Sequence, residues 1–132
     1  MPTVLDTHAW MWWVTEDRRL SPAARRAISA AEARQTLWVS LISAWEIAKK
    51  VEKHQLVLDR PLMDWLDLAT TRPGVQMAEL SRHVLVESCR LPARFTGDPA
   101  DQIIVATARD REATLITKDE RIREYGHVRS LW

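Results

Sequence analysis

A single cysteine, Cys89, rules out an internal disulfide and points to a reducing, cytoplasmic setting. Three glycines, Gly74, Gly97 and Gly126, cannot write a G-x-G-x-x-G or P-loop pattern, which excludes a glycine cradle for phosphates. No apolar run is long enough to span a bilayer, and no basic, signal-like segment precedes one, so no membrane association is expected. Charge of one sign is not in excess either. The 19 Lys and Arg residues against 18 Asp and Glu leave a formal +1, so composition announces neither a nucleic-acid binder nor an acidic tail. Internal repeats and low-complexity linkers are missing as well. What is present is a chain of 132 residues, 46% of them hydrophobic, which suits one soluble globular domain with a substantial core.

Strand-like and helix-like stretches alternate along it. Thr3-Val4-Leu5 reads as a short strand ending on Asp6, and Thr7 to Val14 as a tryptophan-rich helix. Ser21-Pro22 is a cap followed by a first-turn proline, and it opens a helix through Arg34. Thr36 to Ser40 is a strand, Leu41 to Lys53 a helix carrying Glu46, and Pro61 to Thr70 another helix. Beyond the Pro73-Gly74 turn, Val75 to Ala78 is a strand and Ser81 to Cys89 a capped helix. Asp98 is a good N-cap, Pro99 suits the first helical position, and Asp101 falls where an acidic side chain meets the positive end of the dipole. Ile103 to Ala108 is apolar all round, the mark of a buried helix. Thr114 to Ile116 is a strand that delivers Asp119, Glu120 to Tyr125 is a short helix stopped by Gly126, and Val128 to Ser130 is a last edge strand. This alternation predicts an α/β fold: a mostly parallel central sheet of four to five strands with helices on both faces.

Asp6, Glu46, Asp101 and Asp119 come from four separate elements, three of them at strand ends or a helix start, where ligands collect in open α/β sheets. Uncompensated, such acids repel one another; a divalent cation removes the conflict. All-oxygen ligation suits Mg²⁺ or Mn²⁺ rather than zinc, and an ion there can activate water and neutralise charge on a phosphoryl oxygen. Phosphodiester hydrolysis is the chemistry such a site performs. Each acid also has a plain structural explanation. Asp98, Asp6 and Asp119 can cap helices, Asp101 can complete a capping box, and Glu46 can pair with Lys50 one turn on. The pattern, not any single acid, carries the claim.

Four blocks at this spacing, Val4-Leu5-Asp6-Thr7-His8-Ala9, Ser43-Ala44-Trp45-Glu46-Ile47-Ala48, Asp98 to Ala108, and Leu115 to Ile122, resemble the PIN-domain family, specifically VapC-type toxins of type II toxin-antitoxin systems. The resemblance runs from Met1 nearly to the end of the chain. It implies a PIN-like fold, RNA cleavage, and a Mg²⁺ or Mn²⁺ site formed by Asp6, Glu46, Asp101 and Asp119. It leaves Asp98 as a helix cap and outer group, with Thr117 and Thr7 placed to support the cluster or its water. It further implies a homodimer inhibited by a cognate VapB-type antitoxin, through which alone DNA would be contacted, and an antitoxin Arg or Lys near Asp6, Glu46 or Asp101. His54 stands near the point where relatives often end this helix with glycine, which leaves the local turn open. His54 and His8 read as ordinary surface or helix-end residues.

A neutral protein cutting RNA needs local basic patches, and Lys49, Lys50 and Lys53 along one helix, with Arg90 and Arg94, are the candidates. A solvated charged face is the competing explanation for all five. Single-stranded or looped RNA is the expected substrate, because a small enzyme with few base-reading features relies on shape and exposed bases. Seven tryptophans need an account too. Trp10 and Trp13 share a helix face and Trp12 points elsewhere, so the three are not expected to enter one core; the excess suggests an apolar surface for self-association or a partner peptide. Two other readings fit part of the pattern: a phosphotransfer receiver-like module, with Lys118 near its acids, and a PIN scaffold that has lost catalysis.

Overall fold

The computed structural model describes residues 1–132. Five strands form one sheet: β1 (Thr3–Leu5), β2 (Leu37–Ser40), β3 (Val75–Ala78), β4 (Thr114–Ile116) and β5 (Arg129–Leu131). Every neighbouring pair is parallel, and the order is β3-β2-β1-β4-β5. Receiver-type modules share an architecture of parallel strands but order them 2-1-3-4-5. The receiver-like reading is therefore corrected by the strand order. The order reverses between β1 and β4, and at such a switch point neighbouring crossovers leave toward opposite faces and open a crevice beyond the strand ends.

Seven helices cover the sheet: α1 (Thr7–Val14), α2 (Pro22–Ala33), α3 (Leu41–Glu52), α4 (Leu62–Thr70), α5 (Arg82–Ser88), α6 (Pro99–Asp110) and α7 (Glu120–Arg123). Most begin on a side-chain cap. Asp6, Ser21, Ser40, Ser81, Asp98 and Asp119 each accept a backbone N–H from the first turn that follows. Caps of this kind satisfy amide groups that the helix itself leaves unpaired. Helix α3 ends with His54 at φ 56°, in the left-handed region, so histidine here takes the conformation that glycine adopts with less strain. The last helix differs from its expected form: it closes at Arg123 on a right-handed Glu124 cap, and Gly126 plays no part in stopping it. Gly74, at φ 86°, makes the turn into β3.

Two apolar cores lie against the sheet. One gathers Trp10, Trp12, Trp13 and Trp65 with Leu5, Leu20, Ile28, Val39 and Ile47; the other gathers Val4, Ile104, Val105, Leu115 and Ile122. The tryptophans of α1 overturn the expectation that they could not share a core. Trp10, Trp12 and Trp13 are all buried in the same cluster, because α1 is covered on more than one side. Trp65 meets Trp10 edge-on at 5.6 Å, Trp132 closes over Trp12 at 5.8 Å, and the Arg72 guanidinium lies 3.9 Å from the Trp13 ring. Arg72 in turn pairs with Glu32 at 3.1 Å, keeping its charge satisfied at the edge of the core. Only Trp45 is largely exposed, at 51%, and it shares a face of α3 with exposed Leu41 one turn before. No helix is long and apolar enough to cross a membrane.

Candidate active site

Carboxylates gather beyond the C-terminal ends of β1 and β4, close enough to act on one another's charge. Asp6 follows β1 directly, its backbone N–H bonded to Ile116 of β4 at 3.1 Å, so the sheet itself sets its position. One Asp6 oxygen accepts the Ala9 N–H at 2.8 Å and the other accepts the Thr117 hydroxyl. Thr117 is buried and its oxygen accepts the Asp119 N–H at 3.0 Å, so one hydroxyl joins the ends of both switch-point strands. Glu46 enters from the middle of α3. It does not take Lys50 as its bonded partner; its carboxylate accepts the Thr7 hydroxyl, which also lies 2.8 Å from that of Ser43. Ser43 is fully buried one turn before Glu46. No sequence signal beyond that spacing marked it as part of the site.

Asp98 and Asp101 come from the start of α6. Asp98 caps the helix by accepting the Asp101 N–H at 2.8 Å. Gly97 is needed beside them, since a Cβ there would stand 2.3 Å from the Phe95 ring and 2.9 Å from Asp101 Cβ. Asp119 caps α7 by accepting the Arg121 N–H at 2.9 Å, and the Arg121 guanidinium turns back onto the acids. Arg121 did not stand out in the sequence; its position two residues beyond a capping aspartate was the available clue.

These acids lie within one another's fields. Burial holds a proton on Asp101 most strongly, Asp98, Asp119 and Glu46 add repulsion, and its pKa rises to about 7 despite Arg121. Burial likewise raises Glu46, with Asp98 adding to the effect, and raises Asp6 against the hydrogen bonds from Thr117 and Ala9. Burial would raise Asp119 as well, but the hydrogen bonds and charge of Arg121 outweigh it and hold that carboxyl below its ordinary value. Exposed His8 favours the charged forms of Asp6 and Glu46 and stacks on Trp12 at 5.7 Å.

The donor set fits a hard divalent ion: it is all-oxygen and acidic, and three of its carboxyls are raised, first by burial and then by one another's charge. In this arrangement no three of the acids converge at ligand spacing. Their oxygens are engaged instead by Thr117, Thr7 and Arg121. Among the suggested phosphate contacts, Lys50 lies close enough to act on Glu46, while Lys49 sits 4.4 Å over the Trp45 ring. Lys53 caps the end of α3, and Arg90 and Arg94 are exposed ahead of α6; none of these three bonds to the acids.

A family model described as PIN domain matches residues 3–128. Ribonuclease VapC22 of Mycobacterium tuberculosis is 38% identical over 130 residues, covering 98% of this chain and 96% of that protein. Among solved structures, the DNA-bound VapBC of Salmonella typhimurium matches with a TM-score of 0.72 at 14% identity, over 99% of this chain and 97% of that one. VapBC2 of Rickettsia felis, bound to a promoter DNA fragment, matches with a TM-score of 0.67 at 16% identity, over 99% and 98%. At such low identity the solved structures speak to the fold alone.

Proposed function

Since the chain belongs to the PIN-domain family, in its VapC-type branch, we propose that it is a divalent-metal-dependent endoribonuclease and the toxin of a type II toxin-antitoxin pair. The observation that supports this reading is that Asp6, Glu46, Asp101 and Asp119 lie within one another's fields beyond the strand ends at the switch point, three of the four with a raised pKa. Mg²⁺ or Mn²⁺ would be held by these four residues, and when bound it supplies an activated water and neutralises charge on the phosphate. The chain's own groups do the rest. Thr117 fixes the Asp6 carboxylate, Thr7 and Ser43 fix Glu46, and Asp98 anchors the first turn that carries Asp101. Of the lysines and arginines suggested as phosphate contacts, Lys50, with Lys49 nearby on the same helix, is the one whose charge reaches the acids.

The named relative is a ribonuclease, and the matched structures are toxin-antitoxin complexes, which supports RNA as substrate and a VapB-type protein as inhibitor. Self-association would draw on the exposed Leu41 and Trp45 face of α3 rather than on the buried tryptophans of α1. The test is cleavage of a single-stranded RNA with and without Mn²⁺. The wild-type chain is expected to cut only with the ion. Asp6→Asn and Asp101→Asn are expected to lose more than about 100-fold in rate, beyond the loss typical for groups that merely support metal ligands. Undiminished cleavage by either folded variant, or cleavage in excess chelator, would overturn the assignment.

A further inference from the structure

Arg121 is the one guanidinium bonded to the acid cluster, and the chemistry proposed above makes no use of it. Its Nε and Nη2 lie 3.4 and 3.1 Å from the two oxygens of Asp119, and Nη2 is also 3.3 Å from Asp101 Oδ2. It thus ties the start of α6 to the start of α7 through two carboxylates assigned to the ion. We propose that Arg121 is a resident counter-cation, which occupies Asp101 and Asp119 in the metal-free protein and must leave them for the divalent ion to bind. This inference rests on the metal site proposed above and adds a residue that sets its affinity.

Three observations carry it. Arg121 engages both oxygens of Asp119 and one of Asp101, so an ion ligated by those oxygens has to take them from the guanidinium. The side chain is 55% exposed and has no bonded partner outside the pair, so solvent lies open to it once released. Ion pairs at such exposed positions hold weakly, whereas a divalent ion brings twice the charge to the same oxygens. Arginine also cannot relieve the conflict by losing a proton, so displacement is the route left. The released guanidinium would stay on α7 at the mouth of the pocket. Arg121 is accordingly a positioning residue for Asp101 and Asp119 rather than a ligand.

The test is calorimetric titration of Mn²⁺ into the full RNA-free chain at pH 8, repeated as the Mn²⁺-induced rise in unfolding midpoint. If the competent state is the one with Arg121 displaced, removing the competitor raises its population, and Arg121→Gln should bind Mn²⁺ about threefold to fivefold more tightly. Arg121→Lys keeps the charge without the fork and should fall between wild type and Arg121→Gln. Unchanged or weaker binding by a folded Arg121→Gln protein, with Mn²⁺ still bound by wild type and lost in Asp101→Asn, overturns the role of Arg121 and leaves the metal site standing. No Mn²⁺ binding by either wild type or Arg121→Gln overturns both.

Discussion

Helix α1 belongs to two unlike regions at once. Its body carries Trp10, Trp12 and Trp13 into an apolar core, while the residue that caps it, Asp6, sits in a crowd of carboxylates. In the tryptophan region packing dominates: rings meet edge-on and Arg72 and Arg19 lie over ring faces, at the cost of leaving the Trp10 and Trp12 indole N–H groups buried without a hydrogen-bond partner. In the acid region the contacts conflict, and burial raises the pKa of groups that are ordinarily ionised. The first region stores stability; the second gives some up by crowding buried carboxylates together. A domain violates its own packing rules mainly where it works.

The sharpest way to break this contrast is to empty the first region. Trp10→Ala should cost about 3–5 kcal/mol, the usual penalty for deleting a fully buried aromatic side chain, measured by urea unfolding. Since Trp10 packs directly on Trp65, the double variant Trp10→Ala/Trp65→Ala should lose less than the sum of the two single losses. Next in size is the hydroxyl that links both strand ends. Thr117→Val keeps the shape but removes the bond to Asp6 and the acceptor for the Asp119 amide. RNA cleavage should fall about 10-fold to 100-fold, as for other groups that orient metal ligands. Thr117 lowers the Asp6 pKa, so its loss lets burial raise that carboxyl further. The acid limb of the rate profile should therefore move to higher pH. A fall in rate with an unmoved limb would assign Thr117 to packing alone.

The two regions were also unequally legible. Strand positions and the parallel sheet followed from alternation and caps, because local hydrogen bonding and hydrophobic period fix them within a few residues. The four acids stood out since each lies at an element end or in a motif, and Asp6, Asp98 and Asp119 proved to cap helices while acting on neighbouring acids. The burial of Trp12 was not legible. Its cover is Trp132, which lies beyond β5 and far along the chain, and helical spacing says nothing about what arrives from a distance. Ser43 and Arg121 were missed for the same reason: their partners, Thr7 and Asp101, are distant in sequence and meet them only in the fold.

The smallest expected effect sharpens the contrast through pH. Unfolded, Asp101 ionises near its ordinary 3.8; folded, it keeps its proton until about 7. Between those values the folded chain binds more protons than the unfolded one, so this group makes stability fall as pH rises through that window. Raised Glu46 and Asp6 act with the same sign, while lowered Asp119 acts oppositely, its contribution being lost as pH falls through its folded value. The metal-free protein should therefore unfold a few degrees lower at pH 7.5 than at pH 5, a shift of about the size that small changes in stability produce in domains of this length. Asp101→Asn should flatten that dependence and leave the variant the more stable protein at pH 7.5, while its RNA cleavage is expected to be lost. Mn²⁺ should oppose the slope in wild type, because it binds the ionised acids. Thermal unfolding by circular dichroism across that pH range checks all three. An identical slope in Asp101→Asn would mean that the conflict among the carboxylates lies elsewhere than at the start of α6.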